Sequence, residues 1–501
     1  MLSFVLISAL LFGLSSALNA NMNMNTNSYT SDALLDQVTQ LSGLNHDIQF
    51  NQFSGYLKLE NTQKNIHYWF VESESNPSTD PLVFWTNGGP GCSGLIGFLT
   101  EQGPFRPDVN GNLQMNDWRW NKIANMVFLE QPVGVGFSYS DNSDDYKIGD
   151  DQAAKDNLQT ILAFLIKFPQ FIKSPLFITS ESYGGHYMPT LANEIIQYNM
   201  KSSVEPLNFK GFAVGNPYTD YYSGVGAEME TYWGKQLLPK PSWDKYVNAG
   251  CLDVVNLFNV STCTNTVFEF MKKIGNLNPY ALDYPVCVSA QQVWMNEHIM
   301  ELLGQTSPEF NRSPAPSATG RSKMYDKNSA FVIDKKLHNA IPLKDEYQPC
   351  EDNYSADYLN QEDVKANLHV KTNIAWEECS RTVKYEYADK MKPMQQFYNT
   401  ILDSKSSPNL RVLVYSGDDD SVCGTVGTQK WIWDLGYPVK SMWKVWEVNQ
   451  QVAGYITHFN TPHSTKSRLI FATVHFAGHE VPTYKPQEAF ELFQAYLNDD
   501  L

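Results

Sequence analysis

Positive charge is scarce in this chain. Its 501 residues carry 37 Lys and Arg against 54 Asp and Glu, a formal net charge of −17. Nonspecific nucleic-acid binding needs basic side chains to neutralise phosphates, so that class is excluded. The balance suits a soluble protein, or one that works in acid, where carboxylates partly protonate. Long apolar runs are missing too, apart from residues 1–17 (MLSFVLISALLFGLSSA). That run is short for a spanning helix and lacks a basic start. Its small-residue end has the form of a secretory signal peptide cut after Ala17. No later run is long enough to span, so no membrane contact is expected after cleavage. No fixed-period repeat occurs, which removes solenoids and propellers. Cysteine is sparse and odd in number: Cys92, Cys251, Cys263, Cys287, Cys350, Cys379 and Cys423. In an oxidising compartment seven cysteines imply disulfides plus one free thiol, in a pairing that spacing alone does not give.

What is present is a series of short buried strands alternating with helices. Residues 18–34 are Asn-rich at first and are expected to be a disordered leader. Residues 53–71 read as a hairpin from their alternation. Apolar runs at 81–86, 126–129, 175–179, 209–214, 411–415 and 469–474 read as buried strands, and residues 150–167 as a helix. Strands alternating with helices predict an α/β chain with a mostly parallel central sheet covered on both faces. The pattern breaks between 217 and 390, where the text turns helical or irregular. This stretch is expected to be an inserted, mainly helical cap between core segments 35–216 and 391–501. Within it, residues 305–330 (QTSPEFNRSPAPSATGRSKMYDKNSA) read as an exposed loop open to nicking. Three N-x-[ST] sequons at Asn259, Asn311 and Asn353 mark surface loops if glycosylated.

The chain is organised around Ser180-Glu181-Ser182-Tyr183-Gly184-Gly185. A short apolar strand precedes it, and Met188, Leu191, Ile195 and Tyr198 follow at helical spacing. A serine at such a strand-to-helix turn has the form of the nucleophile elbow of α/β-hydrolases. Its hydroxyl would stand exposed, with the Tyr183 N–H facing a developing oxyanion. A serine nucleophile needs a base and an orienting carboxylate. The strand at 411–415 runs into Asp418-Asp419-Asp420, and the strand at 469–474 runs into His475 and His479. The order Ser, Asp, His is that of α/β-hydrolases, and such groups gather at the carboxyl ends of parallel strands. His475 and His479 have zinc-pair spacing, but Gly478 and Pro482 argue against a helix there, so no metal is expected.

Four segments then carry a resemblance: Trp85 to Ser93 (WTNGGPGCS), Gln131 to Tyr139 (QPVGVGFSY), Glu181 to Pro189 (ESYGGHYMP) and Gly478 to Pro482 (GHEVP). From about residue 35 to the end the chain resembles the serine carboxypeptidases, the group of cathepsin A and the plant and yeast vacuolar enzymes. The resemblance implies a catalytic triad of Ser182, Asp420 and His479 and an oxyanion hole from the N–H groups of Gly89 and Tyr183. It implies that Asn87, Glu181 and the Gly88 N–H hold the substrate's terminal carboxylate, with Glu101 paired to Glu181. Three carboxyl groups so close cannot all ionise without repulsion, so one Glu must stay protonated and peptide binding should weaken as pH rises. Plant-like pairing implies disulfides Cys92–Cys379, Cys251–Cys263 and Cys287–Cys350, leaving Cys423 as the free thiol. The chain departs from the family pattern at Ser180 (for glycine), Gly94 (for serine) and Glu130 (for aspartate).

The implied activity is hydrolysis of the C-terminal peptide bond of peptides and proteins through an acyl-enzyme, in acid, with no cofactor. The implied location is the secretory pathway, ending in a lysosome or vacuole or outside the cell, and a homodimer is left open. Two rivals stand beside this. One is an acyltransferase on the same scaffold, which need not hold a peptide carboxylate. The other is a noncatalytic protective partner of other lysosomal proteins, which need not keep a triad.

Overall fold

The computed structural model describes residues 29–285 and 351–501, apart from 202, 204, 254–259, 272–273, 276, 407–408, 465 and 467. The expected signal peptide, the expected loop at 305–330, Asn259, Asn311 and the expected Cys287–Cys350 pair lie outside the described residues.

Six parallel strands form the centre of the sheet, in the spatial order Asn125–Leu129, Leu82–Thr86, Leu176–Glu181, Phe209–Gly215, Arg411–Gly417 and Leu469–Val474. Each is an apolar run that buries both faces, the habit of a parallel sheet. Alternate residues go to opposite sides. Phe84, Ile178, Phe212, Val412 and Phe471 pack on one face with the helices Asp150–Lys167 and Gly184–Asn199. Val83, Phe177, Ala213, Leu413 and Ile470 pack on the other face with the helix Pro486–Asn498. The expected hairpin, Gln52–Lys58 with Lys64–Val71, extends one edge antiparallel. The fold is therefore that of an α/β-hydrolase.

The opposite edge carries a hairpin that the sequence reading passes over, Val439–Val448 with Gln451–Phe459. Its turn residues Asn449 and Gln450 both have positive φ, 52° and 61°. Such a turn matches the strand twist but is normally signalled by glycine. A second difference lies at the start. The leader expected to be irregular to residue 34 is ordered from Tyr29. The Thr30 hydroxyl caps the helix Ser31–Leu35, and Tyr29 packs on Phe53 and donates to Glu72.

Between Phe209–Gly215 and Arg411–Gly417 the described chain is largely helical, with helices Tyr221–Gly234, Lys240–Asn248, Ser261–Met271 and Glu351–Leu359. The first three share a small core of their own around Met229, Tyr232, Tyr246, Val267 and Phe270, which includes the Cys251–Cys263 disulfide. Asn353 is exposed, but on a helix and not in a loop.

Candidate active site

Ser182 occupies the turn between Leu176–Glu181 and Gly184–Asn199, with φ of 56°. A left-handed backbone is strained for a residue with a side chain, and here the surroundings enforce it. The Ser182 N–H donates to the Gly215 carbonyl (3.0 Å), and its own carbonyl accepts from Gly185 (2.9 Å) and Tyr218 (2.8 Å). Ser180 does not open the elbow. Its buried side chain takes the space beside Gly184, where an added Cβ would overlap the Ser180 hydroxyl. Ser182 is only half-buried and so remains accessible.

Asp420 follows the end of Arg411–Gly417 and is fully buried. Its carboxylate is fixed by three donors, Asn216 Nδ2 (2.8 Å) and the N–H groups of Val422 (2.7 Å) and Cys423 (3.1 Å). It holds His479 Nδ1 at 2.6 Å. The His479 N–H donates to the Tyr280 carbonyl (2.7 Å), which fixes the ring from the backbone side. Burial disfavours charge on His479, but Asp420, then Glu480 and Glu101, outweigh it and raise its pKa. His475, the other candidate, pairs instead with Asp418 at 2.6 Å near the surface. Asp419 faces away, toward Lys235 and the Asp283 N–H. One acid–histidine pair of the two is thus buried at the sheet's carboxyl edge.

Cys423 is a free, buried thiol beside this group, and the neighbouring Ser182 hydroxyl favours its thiolate form. Burial, followed by Asp420 and Glu181, pushes the Cys423 thiol well up and keeps it neutral. Asp420, Cys423 and His479 bring ligand atoms within 4.8 Å of one another. Two of these groups are already spent on each other in the 2.6 Å bond, so the cluster reads as one acid–base system. A bulky mercurial should inactivate the protein by filling the space beside Ser182, and Cys423→Ser should protect it; retained activity in the mercurated wild type would contradict this placement.

The loop after Leu82–Thr86 closes over the elbow. A Cβ at Gly88 would stand 2.5 Å from the Tyr183 nitrogen and 2.8 Å from the Ser182 Cβ, so only glycine permits this approach. Gly89 adopts φ of 107°, a second position reserved for glycine. The Cys92–Cys379 disulfide anchors the loop's far end, and Ser93 and Ser380 flank it with backbone bonds to Glu378 and Gly91. Glu130, in place of the usual aspartate, is buried beneath it and accepts from Ser93, Trp376, Phe137 and His67.

Asn87 starts this loop and organises a second acidic pair. Its Oδ1 accepts from Trp85 Nε1 (2.8 Å) and the Gly97 N–H (3.1 Å), which orients the amide. Its Nδ2 then donates to both Glu101 Oε1 and Glu181 Oε1, each at 2.8 Å. In this state Asn87 has no donor to spare. Glu101 ends a π-helical turn, Gly97–Glu101, and is 1 % exposed; Glu181 immediately precedes Ser182 and is 5 % exposed. Burial is the main cause that raises both carboxyls, Glu101 to about 8 and Glu181 well above its ordinary value. Glu480 adds to Glu101, and Glu101 and Glu480 add to Glu181. Glu101 Oε2 is buried and receives no hydrogen bond from an N–H or hydroxyl group. Burial and the repulsion between two adjacent carboxylates both favour a protonated member in this pair.

The sequence reading missed Asn216, which orients Asp420, and Trp85, which orients Asn87. Asn216 directly follows a parallel strand, the place where functional groups gather, and that position was the available signal.

A serine at a strained elbow, a buried Asp–His pair and a mostly parallel sheet define a serine hydrolase of the α/β class. The chain matches the serine carboxypeptidase family profile over residues 43–499 and belongs to that family. It is 34 % identical over 472 residues to serine carboxypeptidase 24 of Arabidopsis thaliana, covering 92 % of each chain. It is 35 % identical over 477 residues to serine carboxypeptidase-like 33 of the same plant, covering 92 % of this chain and 91 % of the other. A prohormone-processing carboxypeptidase from Saccharomyces cerevisiae has a similar fold, with a TM-score of 0.69 at 20 % identity over 93 % of this chain and 96 % of that one. The protein is a serine-type carboxypeptidase acting through a Ser-His-Asp triad and an acyl-enzyme.

Proposed function

We propose that Ser182 attacks the scissile carbonyl, that His479 takes its proton and returns it to the leaving amine, and that Asp420 holds His479 in the required tautomer. The N–H groups of Gly89 and Tyr183 receive the oxyanion. The leaving residue's carboxylate binds the Glu101–Glu181 pair and the Gly88 N–H, and takes over part of the Asn87 amide as it enters. The observation that carries this reading is the buried acid pair bridged by Asn87, one of whose members directly precedes Ser182. A buried carboxyl kept neutral can donate to a carboxylate, as an ionised one cannot. Ionised Glu101 is the smallest of the charges that raise His479, so a protonated Glu101 eases that shift only slightly. Asp420 still holds His479 up, to about 9, so the base itself is protonated in acid and its ionisation opposes activity there.

The helical insert from 217 to 390 serves as a cap over the cleft, and exposed Asn353 is the sequon available to a glycan among the described residues. The two disulfides suit an oxidising route through the secretory pathway, toward a lysosome or vacuole or the exterior. Among the described residues no helix is long and apolar enough to cross a membrane. The test is to incubate the purified protein with a blocked dipeptide and, separately, with an acyl-glucose ester and an alcohol. Release of a free amino acid from the dipeptide supports the peptidase. Transfer to the alcohol without peptide hydrolysis supports the acyltransferase, and neither reaction leaves the noncatalytic role.

A further inference from the structure

Behind the elbow lies a further buried acid–histidine pair that the triad does not use. Asp150 begins the helix Asp150–Lys167 and is fully buried. Its Oδ2 holds His186 Nδ1 at 2.9 Å, from the first turns of the nucleophile helix. Its Oδ1 accepts from two phenols, Tyr183 (3.1 Å) and Tyr385 (2.7 Å). Its own N–H donates to Asp389 Oδ2 (2.9 Å). Tyr385 and Asp389 come from the end of the helical insert, where Lys384–Tyr385 pairs with Lys147–Ile148. Burial works against a charged Asp150, but the bonds from His186, Tyr385 and Tyr183 more than offset it and hold its pKa below the usual value.

The ring of Tyr183 is clamped on every side. It stacks on His186 (4.4 Å between centroids, 13° between planes) and on Tyr218 (6.0 Å). Tyr187 and Tyr385 meet it edge-on at 5.2 and 5.3 Å. Tyr187 in turn accepts from the Gly91 N–H at 3.2 Å, in the loop that carries Gly89. The residue whose backbone N–H faces the oxyanion therefore has its side chain fixed by a carboxylate, four rings and a tie to the opposing loop. Oxyanion donors act by being fixed before charge develops.

We infer that Asp150 is a positioning residue for the reaction: through the Tyr183 hydroxyl and His186 it fixes the peptide N–H of Tyr183 where the oxyanion forms. This rests on the oxyanion-hole reading above. It makes the end of the insert part of the same support, because Tyr385 shares the Asp150 oxygen with Tyr183. A misplacement on the order of 1 Å costs about a hundredfold in rate.

The test uses the full chain with Tyr183→Phe, Asp150→Asn and the double variant. kcat is expressed per site titrated with a fluorophosphonate. A blocked phenylalanine aldehyde serves as probe, because addition of the Ser182 O–H across its carbonyl gives a tetrahedral adduct that calls on the oxyanion donors. The expected result is a fall of about ten- to a hundredfold in kcat in each single variant. KM for ester and peptide should hold, aldehyde affinity should fall by the same factor, and the double variant should be no worse than Asp150→Asn. If kcat per titrated site and aldehyde affinity hold while the melting temperature falls, Asp150 is only a structural hub and the inference is overturned. Should Asp150→Asn fail to fold, Tyr183→Phe decides the matter, since it deletes one hydroxyl and keeps the stacked ring. If the wild type itself forms no aldehyde adduct and is not labelled at Ser182, the oxyanion-hole reading fails first.

Discussion

Ser182→Ala should lower peptide turnover by about a million-fold, the scale seen when the nucleophile of a serine protease is removed. The fold should survive. Ser182 is half-buried, and the elbow is held by backbone bonds from Ser182, Gly185 and Tyr218 that do not involve the hydroxyl. The positive φ remains with alanine, so a small stability cost persists but no new one arises. The check is steady-state turnover with a matched thermal melt, together with loss of organophosphate labelling at position 182. Labelling of another serine, or turnover within tenfold of wild type, would sink the assignment. His479→Ala should fall to a similar floor, because residues that act as one unit are not additive.

The second large effect follows from the acid pair. In the unfolded chain Glu101 ionises near its ordinary value of 4.5, whereas in the folded chain its pKa is about 8. Below about pH 4.5 both states hold the proton and the contribution is complete. Between these values the unfolded state has lost the proton and the folded state has not, so stability falls as pH rises. The loss runs at about 1.4 kcal/mol per pH unit for each proton that only the folded state still holds. Glu181 adds in the same direction. Glu101→Gln with Glu181→Gln keeps donors and removes both ionisations. The variant's stability relative to wild type should therefore rise steadily from pH 5 to 8 in denaturant melts. A constant difference over that range would mean that the pair is already ionised in the folded protein.

On the proposed reading the same pair sets the pH limit on binding, and its two protons belong to the pair and not to either residue. The sequence alone suggests a rise in peptide KM between acid and neutral pH. The depth of burial moves the onset upward, toward the Glu101 value of about 8. KM for a peptide should stay level below that and rise beyond it, while kcat changes less, the mark of lost uniform binding.

Much of the core was legible because each central strand is an unbroken apolar run and because the helix Asp150–Lys167 starts with two acids and stops before Pro169. The edge hairpin was not. Lys440, Lys444 and Glu447 interrupt its alternation, as suits an exposed edge, and its turn lacks glycine. Ser182 and the buried Asp–His pair could be approached from strand ends, but the choice of Asp420 over Asp418 and of His479 over His475 needed family resemblance. Geometry then distinguishes them by burial. Glu101 was the least legible, since nothing local marks a π-helical turn whose last residue meets Asn87 and Glu181. Asp150 looked like an ordinary first-turn acid, and its role depends on His186 and Tyr385, which are remote in sequence.

The most direct measurement compares a blocked dipeptide with the same dipeptide amidated at its C-terminus, at pH 5, in wild type and in the Glu101→Gln/Glu181→Gln variant. A charge-assisted hydrogen bond contributes about 1.5–3 kcal/mol, so the wild type should favour the free carboxylate by roughly ten- to a hundredfold in kcat/KM. The variant should keep part of that preference and hold it unchanged to pH 8, where the wild type begins to lose it. Equal hydrolysis of acid and amide by the wild type would contradict the claim that the buried pair reads the substrate's C-terminus.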